Sequence, residues 1–196
     1  MKIGPVILDG KHVKLVPLTI EHASGLSVAA AYPEIWRWMP FALQSEEQMR
    51  GFINTVVKMA ETKTALPFTI ISKITGDPVG ATGYWYIEPH HRRLDIGASW
   101  VTPKWQRSAV NTEAKYLLLR HAFEEWQCLR VGFTVDSLNE KSCIALKRIG
   151  AKEEGVLRNH MVQPDGRKRH SICFSVIDTE WPEVKARLEE LMRPRD

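Results

Sequence analysis

The stretch Trp105-Gln106-Arg107-Ser108-Ala109-Val110-Asn111-Thr112-Glu113-Ala114 follows an apolar run over residues 94–101 and leads straight into a helical pattern. The reading is strand, small-residue loop, helix. Beyond the loop, Val110, Ala114, Leu117, Leu118 and Ala122 keep helical spacing to about Trp126, which gives the helix one apolar face. A helix start leaves its first N–H groups without intrahelical acceptors and adds the positive end of the helix dipole. Small residues at such a start let an anion approach the main chain, so the stretch predicts a phosphate site and a phosphorylated ligand.

Working outward, residues 130–135 read as a buried strand after the helix, which completes a β-loop-α-β unit. Upstream, strands are expected at 68–73, 79–87 and 94–101, separated by Thr75-Gly76-Asp77-Pro78 and by the polar stretch 88–93. That spacing predicts an antiparallel meander. The chain opens with alternating apolar residues over 6–18 on both sides of Asp9-Gly10, a hairpin signal. Helical segments are expected over 20–39, broken near Pro33, and over 45–62, where Ser45 and Gln48 have capping-box spacing. Downstream, Ser137 or Asn139 starts a helix that ends at Gly150. Strands follow at 151–163 and 169–177, and Asp178-Thr179 with Pro182 opens a terminal helix. With no repeat, low-complexity tract or linker, the expectation is one domain over residues 1–196.

The composition agrees: 196 residues with 44% hydrophobic and 26% charged side chains suffice for one sizeable core. Cys128, Cys143 and Cys173 form neither a CxxC nor a Cys/His pair, so reduced thiols in a cytoplasmic protein are expected, without a disulfide framework or zinc site. His90-His91 and His121 lack a second ligand at metal spacing, and no metal is expected. No apolar run approaches the roughly 20 residues a membrane span needs. A net charge of +4 and a pI near 9.0 help recruit a polyanionic ligand but fall short of a nucleic-acid footprint. The densest basic run, Arg167-Lys168-Arg169-His170, follows Pro164-Asp165-Gly166 and reads as a solvated hairpin end. The loop also lacks GxxxxGK[ST], which argues against a P-loop enzyme.

Order of elements and residues together resemble the GNAT acetyltransferase superfamily, in its ribosomal-protein N-acetyltransferase (RimJ/RimL-like) branch, over nearly the whole chain. The implied fold is α/β (α+β): a mixed, largely antiparallel central sheet flanked by helices. In the family a Gln/Arg-x-x-Gly-x-Gly/Ala loop holds the pyrophosphate of acetyl-coenzyme A. Gln106, Arg107, Ser108, Ala109, Val110 and Asn111, with Thr112 next, occupy that place, although Ala109 and Asn111 stand where the family usually has small glycine or alanine residues. The resemblance further implies that the backbone of Trp100, Val101 and Thr102 pairs with the pantetheine arm like an added strand. Of Lys104, Arg107, Lys147 and Arg148, Arg107 is the expected phosphate partner.

Asn139-Glu140-Lys141-Ser142 followed by Leu146-Lys147-Arg148-Ile149-Gly150 is similar to the family's Asn-x-x-Ser/Ala helix. By resemblance Asn139 contacts pantetheine. Leu146 takes a position that often carries a proton-donating tyrosine, and Ser142 becomes the thiol-side candidate. Asn139 or a neighbour can equally be a helix cap. The implied reaction is direct acyl transfer to an amine, which needs a base near the acetyl group. Asp95, Glu88, Glu154 and His160 are the candidates, with His160 ranked first and a water-mediated base also open. Trp36, Trp38, Phe41, Tyr84 and Trp85 are expected to line an acceptor pocket or to pack the core. The partner is then an amine acceptor, either a peptide N-terminus or a small molecule, with no membrane and no nucleic acid, and self-association into a homo-oligomer stays open. The rival reading is a non-catalytic acyl-coenzyme A sensor or interaction module, motivated by the departures at Ala109, Asn111 and Leu146.

Overall fold

In the computed structural model, which describes residues 1–193, an eight-stranded sheet runs in the order β1-β2-β3-β4-β5-β6-β8-β7. The strands are β1 (Leu8–Asp9), β2 (Val13–Pro17), β3 (Leu66–Ser72), β4 (Pro78–Glu88), β5 (Arg93–Val101), β6 (Arg130–Asp136), β7 (Lys152–Val162) and β8 (Lys168–Ile177). Every neighbouring pair is antiparallel except β5 and β6. The helices are α1 (Ala23–Ala29), α2 (Pro33–Trp36), α3 (Glu46–Glu61), α4 (Ala109–Arg120), α5 (Glu140–Ile149) and α6 (Trp181–Leu191). None of the described helices is long and apolar enough to cross a membrane.

Local chemistry fixes most boundaries. Ser45 caps α3 by accepting from the Gln48 N–H at 3.2 Å. Gln48 returns its side-chain oxygen to Gln44 N–H at 2.7 Å, one residue earlier than a strict capping box. Gly150 ends α5 at φ 99°, a left-handed turn that a side chain would oppose. The sequence helix expected to continue to about Trp126 does so, but its last part, His121–Glu125, is a π turn.

Two hydrophobic clusters divide the packing. The larger lies under α4, α5 and α6 and takes Phe68, Tyr84, Leu94, Ile96, Phe133, Leu146, Phe174 and Val176. The smaller joins α1, α2 and α3 to Ala81 and Trp100, and none of its buried residues comes from β6, β7 or β8. The turn between β1 and β2 is tied to α4 by Glu113, a buried carboxylate. Glu113 accepts from the backbone N–H groups of Lys11, His12 and Val13 at 2.8, 2.6 and 2.7 Å. Gly10 leaves room for it, since a Cβ there would lie 2.6 Å from the Glu113 carboxyl carbon.

Candidate active site

The sheet opens at its one parallel pair. β5 and β6 pair only from Arg93 to Asp95 and from Arg130 to Gly132. Beyond that, β5 stays on β4 to Val101 while β6 stays on β8 to Asp136, so the two strands part from Ile96 and Phe133 onward. A bulge helps to drive them apart. Ala98 has φ 48°, and Ala98 and Ser99 together face Thr82 of β4, which bends and twists β5 locally. The parted strands lead into α4 and α5, so two helix N-termini stand at the mouth of the gap. Ligands of open sheets bind outside the carboxyl ends of parallel strands, where such a crevice exists.

The loop after β5 is built to expose main chain. Pro103–Trp105 forms a 3-10 turn, and Gln106 donates from its side-chain nitrogen to the Val101 carbonyl at 3.1 Å. Ser108 is the cap of α4: its hydroxyl donates to Trp105 O at 2.6 Å and accepts from Val110 N–H at 3.3 Å. Of the four N–H groups without intrahelical acceptors, this leaves those of Ser108, Ala109 and Asn111 for a ligand. The left-handed residue is Arg107, at φ 58°, one step before the cap. Ala109 and Asn111 are right-handed helical residues, so their positions do not require glycine in this chain. The pyrophosphate of a coenzyme A fits such a site, because the small side chains of Ser108 and Ala109 leave the first turn approachable.

The flanking candidates divide by role. The Trp100 side chain is buried against Trp36 with ring centroids 5.6 Å apart. Val101 belongs to the larger cluster, and Thr102 donates its hydroxyl to Ala29 O and Val79 O. These three side chains serve packing, so what they can offer a ligand is backbone. Thr112 is buried and its hydroxyl accepts from Arg148 across to α5 at 3.3 Å. Asn139 caps α5, its Oδ1 accepting from Ser142 N–H at 3.2 Å. Ser142, partly buried, stands in the first turn of α5 beside the mouth. Leu146 is a core residue, so the position that resemblance assigns to a tyrosine is filled by packing here.

On the face that α1 to α3 cover farther along the sheet, β6, β8 and β7 carry polar side chains. Asp95 lies at the last paired position of β5, over Gly132, where a Cβ would come within 2.3 Å of its Oδ1. Burial raises its carboxyl above the ordinary value, against the pull of Arg130 and Arg93. Arg130 and Glu154 bind each other through both guanidinium branches, and Ser175 donates to Glu154 at 2.8 Å. Farther toward the mouth, Asp136 accepts from Arg167 at 2.6 Å, Gln163 at 3.0 Å and Leu138 N–H at 3.0 Å. Burial disfavours its charge, but Arg167, the Leu138 amide and Gln163 outweigh that and hold the carboxyl low. Arg169 is buried beside it and donates to Ser171 at 2.9 Å, while Arg169 and Gln163 both reach the Trp38 carbonyl at 3.5 Å.

The structure therefore brings Asp95 to the root of the gap, whereas His160 lies on β7, two strands from β6. His160 is exposed on β7, the outer strand, in a bulge where Asn159 has φ 50°, and its Nδ1 is 3.0 Å from Ser171 Oγ. The depression beside this bulge, lined by Leu157, Arg158, His160 and His170, lies on the sheet edge rather than between β5 and β6. Glu88 pairs with Arg93 at the opposite end of β5, and Tyr84 is fully buried core. The Arg167–Asp136 pair had no sequence signal as a unit, because its members and Trp38 come from distant segments; an aspartate closing an apolar strand before a helix cap was the only local hint.

This geometry is that of the acetyltransferases of the GNAT class. The acetyltransferase (GNAT) domain family matches residues 12–152, and the chain belongs to that family of N-acetyltransferases. It is 26% identical to the uncharacterized N-acetyltransferase YoaA of Bacillus subtilis over 87% of this chain and 96% of that one. A GCN5-related N-acetyltransferase from Brucella melitensis superposes with a TM-score of 0.91 at 27% identity, covering 99% of this chain and 88% of the other. Mycobacterium smegmatis RimJ, solved in complex with CoA-disulfide, shares the fold with a TM-score of 0.80 at 24% identity, over 95% and 92% of the two chains.

Proposed function

We propose that the protein transfers an acetyl group from acetyl-coenzyme A directly to a primary amine, either the α-amino group of a protein or peptide or a small amine. The observation that carries the reading is the parting of β5 and β6 beneath the N-termini of α4 and α5. The free N–H groups of Ser108, Ala109 and Asn111, with Gln106 and Arg107 beside them, receive the pyrophosphate. The backbone of Trp100, Val101 and Thr102 and the first turn of α5, with Asn139 and Ser142, border the pantetheine arm. Bound there, acetyl-coenzyme A supplies an activated acetyl group whose leaving atom is sulfur.

The amine reaches the gap from the polar face of β6 and β8, and Asp95 takes its proton. Asp95 is favoured over His160 because it stands where the strands part and because its raised carboxyl is a stronger base than an ordinary aspartate. The 28% identity to the putative ribosomal N-acetyltransferase YdaF of Bacillus subtilis, over 54% of this chain and 57% of that one, supports a protein amine as acceptor.

Calorimetric titration with acetyl-coenzyme A, followed by a panel of peptides with free N-termini and small amines under a thiol-release assay, tests the reading. Binding with acceptor-dependent thiol release is the expected result. Binding without release from any acceptor favours a sensor, and no binding removes the proposal.

A further inference from the structure

Lys115 is a half-buried cation to which neither packing nor the reading above gives a role. It lies on α4 one turn past Asn111, so the two share the helix face next to the gap. Its Nζ stands 5.8 Å from the centroid of Phe133, the first residue of β6 beyond the pairing with β5. The ammonium thus reaches the root of the gap from the helix-covered side, while Asp95 reaches it from the polar side over Gly132. Lys115 takes part in none of the ion pairs among the described residues. Burial pushes its amine down to about 8, close to the ordinary range of a thiol. An amine in that state holds a proton near neutral pH and releases it readily, which is what a departing thiolate requires.

Resting on the acetyl-coenzyme A reading, we propose that Lys115 is the acid that protonates the departing sulfur, in the place that Leu146 cannot fill. The step balances across the gap. The amine nitrogen bonds to the acetyl carbon, the C–S bond breaks with its electron pair going to sulfur, Lys115 gives a proton to that sulfur, and Asp95 accepts the proton that the amine loses. The protein is left with a neutral Lys115 and a protonated Asp95, and solvent carries one proton from the second to the first. Desolvation lifts the carboxyl of Asp95 and lowers the amine of Lys115, which brings the base and the acid each toward neutral pH.

The test reads the thiol rather than turnover alone. Coenzyme A bound to the protein is titrated by the ultraviolet absorption of its thiolate, in the wild type and in Lys115→Met, Lys115→Arg and Ser142→Ala. A neighbouring cation eases formation of the thiolate. The expected result is that thiolate appears in the wild type, Lys115→Arg and Ser142→Ala at about tenfold higher proton concentration than in Lys115→Met. With the acceptor found in the panel, both Lys115 variants should lose about 10²-fold in kcat, because arginine keeps the charge without releasing a proton. Identical thiolate titrations in the wild type and Lys115→Met overturn the assignment, as does a shift confined to Ser142→Ala. Should Lys115→Met fail to fold, Lys115→Arg decides alone, by retaining the thiolate shift while losing turnover, and wild-type turnover in it overturns the role. A wild type that binds no coenzyme A refutes the cofactor reading instead, which keeps the two failures distinct.

Discussion

The two halves of the sheet are covered differently. From β2 to β5 it is packed on both faces, by α1 to α3 on one side and by α4 on the other. From β6 to β7 only the α5 and α6 side is apolar, and the opposite face carries Arg130, Glu154, Asp136, Arg169, Ser171 and Ser175. The difference teaches where the free energy lies. The covered half is stabilised by apolar area, whereas the polar face holds charges that must be satisfied one by one, and Asp95 is left at a cost.

The sharpest way to break this contrast is Asp95→Asn. It should lower kcat by about 10²- to 10⁴-fold without lowering the melting temperature, since it removes a disfavoured charge and no packing. The sign follows from linkage: a carboxyl raised on folding costs stability above its folded pKa, and the cost disappears as pH falls through that value. Activity runs the other way and fails over the same fall, so the acid limb of the wild-type kcat/KM profile should stand above the ordinary carboxylate range. A melting temperature that drops sharply in Asp95→Asn would mean that the residue is structural. On the covered side, Leu146→Ala should cost roughly 3 kcal/mol in urea unfolding, because the residue fills the core between α5 and the sheet. Glu113→Gln should cost about 2 kcal/mol in the same measurement, by weakening three charge-assisted bonds to the β1–β2 turn. Smallest is His160→Ala on the exposed outer strand, expected within ±0.5 kcal/mol in stability and twofold in turnover. A large loss of kcat there would return the base to β7.

Asp136 sharpens the comparison within the polar face itself. Its carboxyl is held low, so it contributes stability above the unfolded value that is lost as pH falls through the folded one. Two carboxylates on one face therefore respond to acid in opposite directions, and the difference is whether donors reach them.

Much of this was legible in the chain because it rests on local chemistry. Ser45 and Gly150 announce helix ends through a cap and a left-handed turn, and the alternation around Asp9-Gly10 announces the first hairpin. The loop and helix start from Gln106 to Asn111 were readable as strand, loop and helix, except that the left-handed residue is Arg107, whose side chain gives no hint of it. What the sequence hid depends on register and on distant partners. The bulge at Ala98 sets where β5 leaves β6, yet alanine has no preference for it. Trp38, Asp136, Gln163 and Arg167 converge from separate segments. Lys115 carries no signal in the sequence, and its place over Phe133 appears only in the fold. His160 is ranked as a base on its ordinary chemistry, and the sequence does not show that it stands on the outer strand against Ser171.

The carboxylate of Glu113 also bears on how the protein is made. Its three backbone partners lie 100 to 102 residues earlier in the chain. A ribosome adding about 5–20 residues per second leaves the turn at Lys11–Val13 without its anchor for roughly 5–20 seconds. The first hairpin is therefore synthesised early and completed late, and α4, the helix that follows the loop after β5, is the element that completes it.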